Sequence, residues 1–156
     1  MRVAVALGLI CCGCLATPAM AADVTFSGTL LSLCSVALST PGVLALSTDG
    51  TIFGSEEVGG VPAAVNILAV GSYTVTVAAP TRTAQPGAYD PTGESIEVSY
   101  SGLAGLGLIS QAYTPNLTTF PIDTIPLSVL VMNNRITNPT GFAAGNYATR
   151  TVVTCS

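Results

Sequence analysis

The sequence contains no histidine, no lysine and no tryptophan. Without histidine, the Ser-His-Asp and Cys-His nucleophilic arrangements and every imidazole-ligated metal centre are excluded at once. Without lysine, the cations reduce to Arg2, Arg82, Arg135 and Arg150, against eight acidic residues and a formal charge of −4. Such a chain cannot neutralise a run of phosphates, so nucleic acid is not a partner. Charge of either sign is scarce: 8% of residues carry it, against roughly 25% in an ordinary soluble domain. No Asp-x-Asp-x-Asp-Gly loop offers calcium a site. No stretch of ten residues holds a helical apolar stripe free of glycine and proline. Neither a metal nor an organic cofactor is expected.

What is present is apolar and turn-rich: 49% hydrophobic residues, with 16 glycines and 10 prolines among 156 residues. That length fits one domain with a real core. The first residues read as an export signal. Met1-Arg2 supplies a positive start, Val3 to Ala16 an apolar run, and Thr17-Pro18-Ala19-Met20-Ala21 a broken stretch ending in Ala-x-Ala. The expected organisation is a cleaved leader over 1–21 and a single domain over 22–156, placed in the periplasm, at the cell surface or outside the cell. The leader run is short and interrupted by Pro18, so the mature chain is not expected to insert in a membrane. Three of the five cysteines, Cys11, Cys12 and Cys14, leave with the leader, and Cys34 and Cys155 remain. Outside the cytosol a lone pair is normally oxidised, which predicts a Cys34–Cys155 disulfide.

The mature chain has period two. Tyr73-Thr74-Val75-Thr76-Val77 and Ser95-Ile96-Glu97-Val98-Ser99-Tyr100 alternate apolar and polar residues, as half-buried strands do. Further strands are expected over Val24 to Cys34, Val43 to Ser47, Thr51 to Phe53, Ala63 to Val70, Leu127 to Met132 and Tyr147 to Thr154. Thr48-Asp49-Gly50-Thr51 reads as a hairpin turn, and Asn133-Asn134 as a second. Two proline-rich pieces, Pro80–Gly93 and Pro115–Pro126, read as irregular connections, and Gly102–Leu108 is left unassigned. The fold expected is all-β: an antiparallel β-sandwich of about 7–9 short strands.

Chemistry-bearing residues are few. Glu56-Glu57 and the group Asp90, Glu94 and Glu97 could serve a carboxylate-based glycoside hydrolase if two were held about 5 to 10 Å apart across a cleft. No motif accompanies them, so no enzymatic activity is expected. A binding module would use the Pro80–Gly93 loop, with Arg82, Tyr89 and Asp90 as contacts, because Tyr and Arg combine contact area with directed hydrogen bonds. Asn116-Leu117-Thr118 has the N-glycosylation pattern.

The two ends of the chain carry a resemblance. Val24-x-Phe26-x-Gly28-x-Leu30-x-x-x-Cys34-x-Val36 resembles the opening strand of chaperone–usher pilins, and Ala144-Gly145-Asn146-Tyr147 with the following Thr/Val alternation resembles the closing strand of spore-coat-U-like secreted proteins. The resemblance implies an immunoglobulin-like, pilin-like sandwich. It also implies a structural or adhesive surface subunit partnered by like subunits, or by a periplasmic chaperone and an usher, and completed by a donated strand. Two departures stand out. Pilins pair their first cysteine with one in the second strand, and only Ala22-Asp23 would precede a first strand beginning at Val24; either Val24 to Leu33 is itself donated or the domain is complete within one chain, and the Cys34–Cys155 pairing fits the second better.

Overall fold

In a computed structural model, which describes residues 27–29, 32–104, 107–123 and 125–156, the expected alternation is realised. Val75 and Val77 of β5 (Tyr73–Val77) are fully buried, while Thr74 before them is exposed and Thr76 between them is half-buried. In β4 (Ala63–Val70) the residues Val65, Ile67 and Ala69 point inward. The described residues form an all-β fold of antiparallel sheets with no helix.

The first sheet is built from long ladders, some interrupted. Strand β1 (Leu33–Thr40) pairs with β4 from Leu33 opposite Val70 to Thr40 opposite Ala64. Farther along, β2 (Ala45–Leu46) pairs with β3 (Ile52–Gly54), and Val43 bridges Val61. Both β3 and β4 lie antiparallel to one edge of β10 (Ile125–Thr137), so they are two halves of one ladder broken by residues 55–62. On the other edge of β10 lies β7 (Ser95–Ala104), and then β8 (Gly107–Thr114). This sheet is five strands wide, with β1 and β2 on one line and β4 and β3 on the next. The second sheet places β5 between β9 (Thr118–Ile122) and β12 (Val153–Cys155). Past Pro80 the β5–β12 ladder continues as β6 (Thr81–Ala84) against β11 (Ala148–Arg150). It is three strands wide.

One cluster joins the inner faces of the two sheets. Val65, Ile67, Val98, Tyr100, Leu130 and Met132 of the first meet Val75, Val77, Phe120 and Ile122 of the second. Tyr100 and Phe120 touch across the layers at 5.6 Å between ring centroids, and the Tyr100 hydroxyl is hydrogen-bonded to Thr118 Oγ1 at 2.7 Å. Each fully buried aliphatic side chain contributes about 1.5–3 kcal/mol. Cys34 on β1 is bonded to Cys155 on β12, with Cα atoms 6.1 Å apart. The expected disulfide therefore staples an edge strand of one sheet to an edge strand of the other.

The Asp49-Gly50 turn forms as expected. Gly50 takes φ 71°, and Asp49 Oδ1 accepts from Ser47 Oγ, Thr51 N and Thr51 Oγ1 at 2.6 to 3.0 Å. The Ser47 hydroxyl and the other donors hold its carboxyl below the usual range.

Other expectations need correction. Asn133-Asn134 is no turn but lies inside β10, paired with Ser99 and Val98 of β7; the Asn133 side chain bonds Ser55 and Glu56, and Asn134 Oδ1 accepts from Thr149 while its buried Nδ2 has no partner among the described residues. Pro115–Pro126 contains β9, whose edge position tolerates Pro121. Thr74 opposite it bonds the other way, to Ser156, so the missing proline N–H faces the free side. Pro80–Gly93 contains β6, and the unassigned glycine-rich piece contains the β7–β8 pairing. The strand expected over Val24–Cys34 begins at Leu33; Ser27 to Thr29 belong to no strand, and its remaining residues up to Leu31 lie outside the described residues.

Two stability predictions follow from the core and the staple. Ile67→Ala or Leu130→Ala should cost about 2–5 kcal/mol in urea unfolding. The Cys34→Ala/Cys155→Ala double variant loses a cross-link spanning 121 residues, and should cost up to about 4–5 kcal/mol on the chain-entropy account.

Candidate functional site

The unequal widths of the sheets decide where the molecule is open. On the inner face of the first sheet, Leu38 stands opposite Val65, yet Val65 is 6% exposed and Leu38 is 64% exposed. Among the described residues no strand of the second sheet covers Leu38. The same holds beyond it for Val43, at 49%. Between this uncovered edge and the β11–β12 edge of the second sheet lies a cavity of about 490 Å³. Leu38, Val43, Leu44 and Phe53 line one side, Tyr147 and Val153 the other, and no charged residue contributes. Its chemistry suits a neutral, apolar and extended occupant.

The backbone adds directed bonds to that apolar wall. Val152, Thr154 and Ser156 turn their peptide groups toward β5, as the Ala78–Val152 and Thr74–Ser156 bonds fix. Alternation then leaves the N–H and C=O groups of Val153 and Cys155 on the outer side. Among the described residues β12 has no second strand neighbour. An edge with free donors beside an apolar trough is the requirement for strand addition.

The contacts expected on the 80–93 loop are placed differently from one another. Tyr89 is 5% exposed, stacked on Phe142 at 5.6 Å and edge-on to Tyr147 at 5.0 Å. Its hydroxyl donates to Glu94 Oε2 at 2.5 Å and accepts from Asn138 Nδ2 at 2.8 Å. Arg82 lies over the same ring and is paired with the same carboxylate, at 2.5 Å. Asn138, fully buried, also donates to Asp90 O and accepts from Thr140, which closes the network. Arg82 and Tyr89 thus act as an internal clamp holding the 138–147 connection against β3, where Phe53 meets both Phe142 and Tyr147. Asp90 alone is exposed, and its carboxylate accepts from Thr92 N at 3.0 Å and lies below the usual range.

Glu97 and Glu56 are also engaged. Glu97 bonds Arg135 at 2.8 Å, and Arg135 lies 4.0 Å from the centre of the Tyr113 ring. Glu56 accepts from Tyr113 at 2.7 Å and from Asn133 at 3.2 Å. Among the described residues no cluster of three or more acidic, cysteine or histidine side chains could hold a metal.

No protein-family model, curated protein or solved structure matches this chain. The groove residues Leu38, Val43, Phe53 and Tyr147 were not singled out from the sequence. Locally they read as core, and only the order of strands shows that nothing covers them.

The clamp has a pH signature. Burial, reinforced by the Glu94 hydrogen bond, pushes the Tyr89 phenol up to about 12 from 10. The neutral phenol is favoured in the fold, so its contribution is complete below pH 10 and is lost as pH rises from 10 through 12. Urea midpoints should fall over that range, and less steeply in Tyr89→Phe. Tyr113, also raised to about 12, keeps part of the slope in that variant.

Proposed function

We propose that this chain is an exported structural or adhesive surface subunit of the pilin-like or coat-like kind, without catalytic activity, that assembles by accepting a strand from a like subunit. The observation that carries the reading is the uncovered inner face at Leu38 beside the free edge of β12. A groove of this kind, apolar on its floor and hydrogen-bonding at its rim, takes an extended segment better than a rigid small molecule. The resemblance at the two chain ends and the Ala-x-Ala leader point the same way.

The position of β1 supplies the donor. Among the described residues pairing starts at Leu33, so on this reading residues 22–32 serve as the donor ahead of β1, more than the two residues that a strand starting at Val24 would leave. Within them Val24, Phe26, Gly28 and Leu30 alternate with Thr25, Ser27 and Thr29. One face is apolar to suit the groove, and the other is polar to suit solvent. This donor leaves the domain at the disulfide end of β1, whereas the groove lies farther along, at Leu38 to Leu44. Donor and acceptor on different parts of one surface make a heterologous contact, which propagates into an open chain rather than closing as a dimer. The immunoglobulin-like order of pilins belongs to this reading, supported by the two-layer antiparallel arrangement.

The loop-binding alternative has less to offer, since Arg82 and Tyr89 are committed to Glu94 and Asn138. The hydrolase alternative would have to free carboxylates that Arg82, Arg135 and Tyr113 hold.

Purified mature protein, alone or with a co-expressed chaperone and usher, should yield oligomers that resist sodium dodecyl sulfate until heated. Leu38→Glu should abolish them. Because Leu38 is exposed in the single subunit, its monomer should unfold within about 0.5 kcal/mol of wild type. Oligomers that persist in Leu38→Glu, or a wild-type protein that is monomeric under every condition, would contradict the reading.

A further inference from the structure

The Cys34–Cys155 disulfide has a second consequence besides stability, resting on the reading just given. It joins β1 and β12, the two strands that flank the groove. Because β12 belongs to the second sheet and β1 to the first, a strand added to β12 lies about 4.8 Å from it within its sheet and packs roughly 10 Å from the sheet it faces. At the disulfide the flanking Cα atoms are 6.1 Å apart and covalently tied. No strand fits there. One residue pair farther in, Val36 and Val153 are only partly buried against the core, and from Leu38 onward the trough is open.

We infer that the disulfide is the stop that sets the register of the inserted strand, the occupant being residues 24–30 of a second copy. The segment and its seat match in length: Val24 to Leu30 and Leu38 to Leu44 contain equal numbers of residues. Register needs such a device here. A slip of one residue would turn Val24, Phe26 and Leu30 out to solvent and Thr25, Ser27 and Thr29 into an uncharged trough. A slip of two residues keeps the apolar face inward, so alternation alone does not forbid it. What forbids a two-residue advance is the closed end at Cys34 and Cys155. The same bond thus holds the two sheet edges together and limits how far an incoming strand can run.

Amide hydrogen exchange read by mass spectrometry on the assembled, oxidised mature protein tests this. In wild type, residues 24–30 should be protected as a single population, with protection of the Val153 amide rising roughly tenfold or more on assembly and that of the Cys155 amide unchanged. In Cys34→Ser/Cys155→Ser assemblies the 24–30 segment should split into more than one population, with protection spreading to position 155. If that variant does not fold, wild-type assemblies reduced with dithiothreitol under native conditions should show the same spreading. A single unchanged population without the disulfide, or protection of the Cys155 amide in wild type, would overturn the stop while leaving strand acceptance standing. Protection of 24–30 in the isolated monomer would replace the second copy by the chain's own segment and overturn the stated occupant. A wild-type protein that never assembles would remove both this inference and the reading on which it rests.

Discussion

A sheet five strands wide faces one only three wide, and most of what distinguishes this molecule depends on that mismatch. Two sheets of equal width bury each other's inner faces completely. Here the β1–β2 side of the wider sheet has no counterpart, so side chains that alternation directs inward meet solvent. The rest of the structure accommodates this opening. The disulfide closes one end of the trough, and at the other end Phe53 and Tyr147 line it and belong to the aromatic group around Tyr89. The fully buried part of the core, around Ile67, Val75, Val77 and Leu130, lies where the two sheets do overlap.

With so few charged residues, polar cohesion is concentrated in two small networks rather than spread over a salted surface. Arg82, Glu94, Tyr89 and Asn138 lock the long connection before β11, which forms the far wall of the trough. Arg135, Glu97, Tyr113 and Glu56 do the same on the outer face, tying the excursion at 55–62 back to β8. Exposed ion pairs contribute little. The Arg82–Glu94–Tyr89 group is mostly enclosed, and removal of one member would strand the others. Two of the chain's four arginines, Arg82 and Arg135, serve as such clamps.

Strands that are half-buried along their length were legible in the sequence. β4, β5 and the first part of β7 were each expected close to where they are found, because inward and outward side chains alternate within a few residues. The Asp49-Gly50 turn was legible for a similarly local reason. β9 and β6 were hidden by prolines whose cost vanishes at a sheet edge or between two ladders, and neither circumstance is visible in a window of residues. Asn133-Asn134 misled because its turn propensity was outweighed by side-chain partners 15 to 78 residues away. The disulfide followed from counting cysteines. The groove did not, since exposure of Leu38 depends on which strands lie opposite it, a property of sheet order. Val24–Leu30, expected to form the domain's own first strand, enters the proposal as the donated one because β1 begins at Leu33 among the described residues.

The most direct measurement is photo-cross-linking from position 38, with Leu38→benzoylphenylalanine in the mature protein under assembling conditions and the captured peptide identified by mass spectrometry. Capture of residues 22–32 from a second copy is the expected result. Capture of solvent alone in assembled protein, or of any other part of the partner subunit, would contradict the claim that the open trough is where one subunit receives a strand from the next.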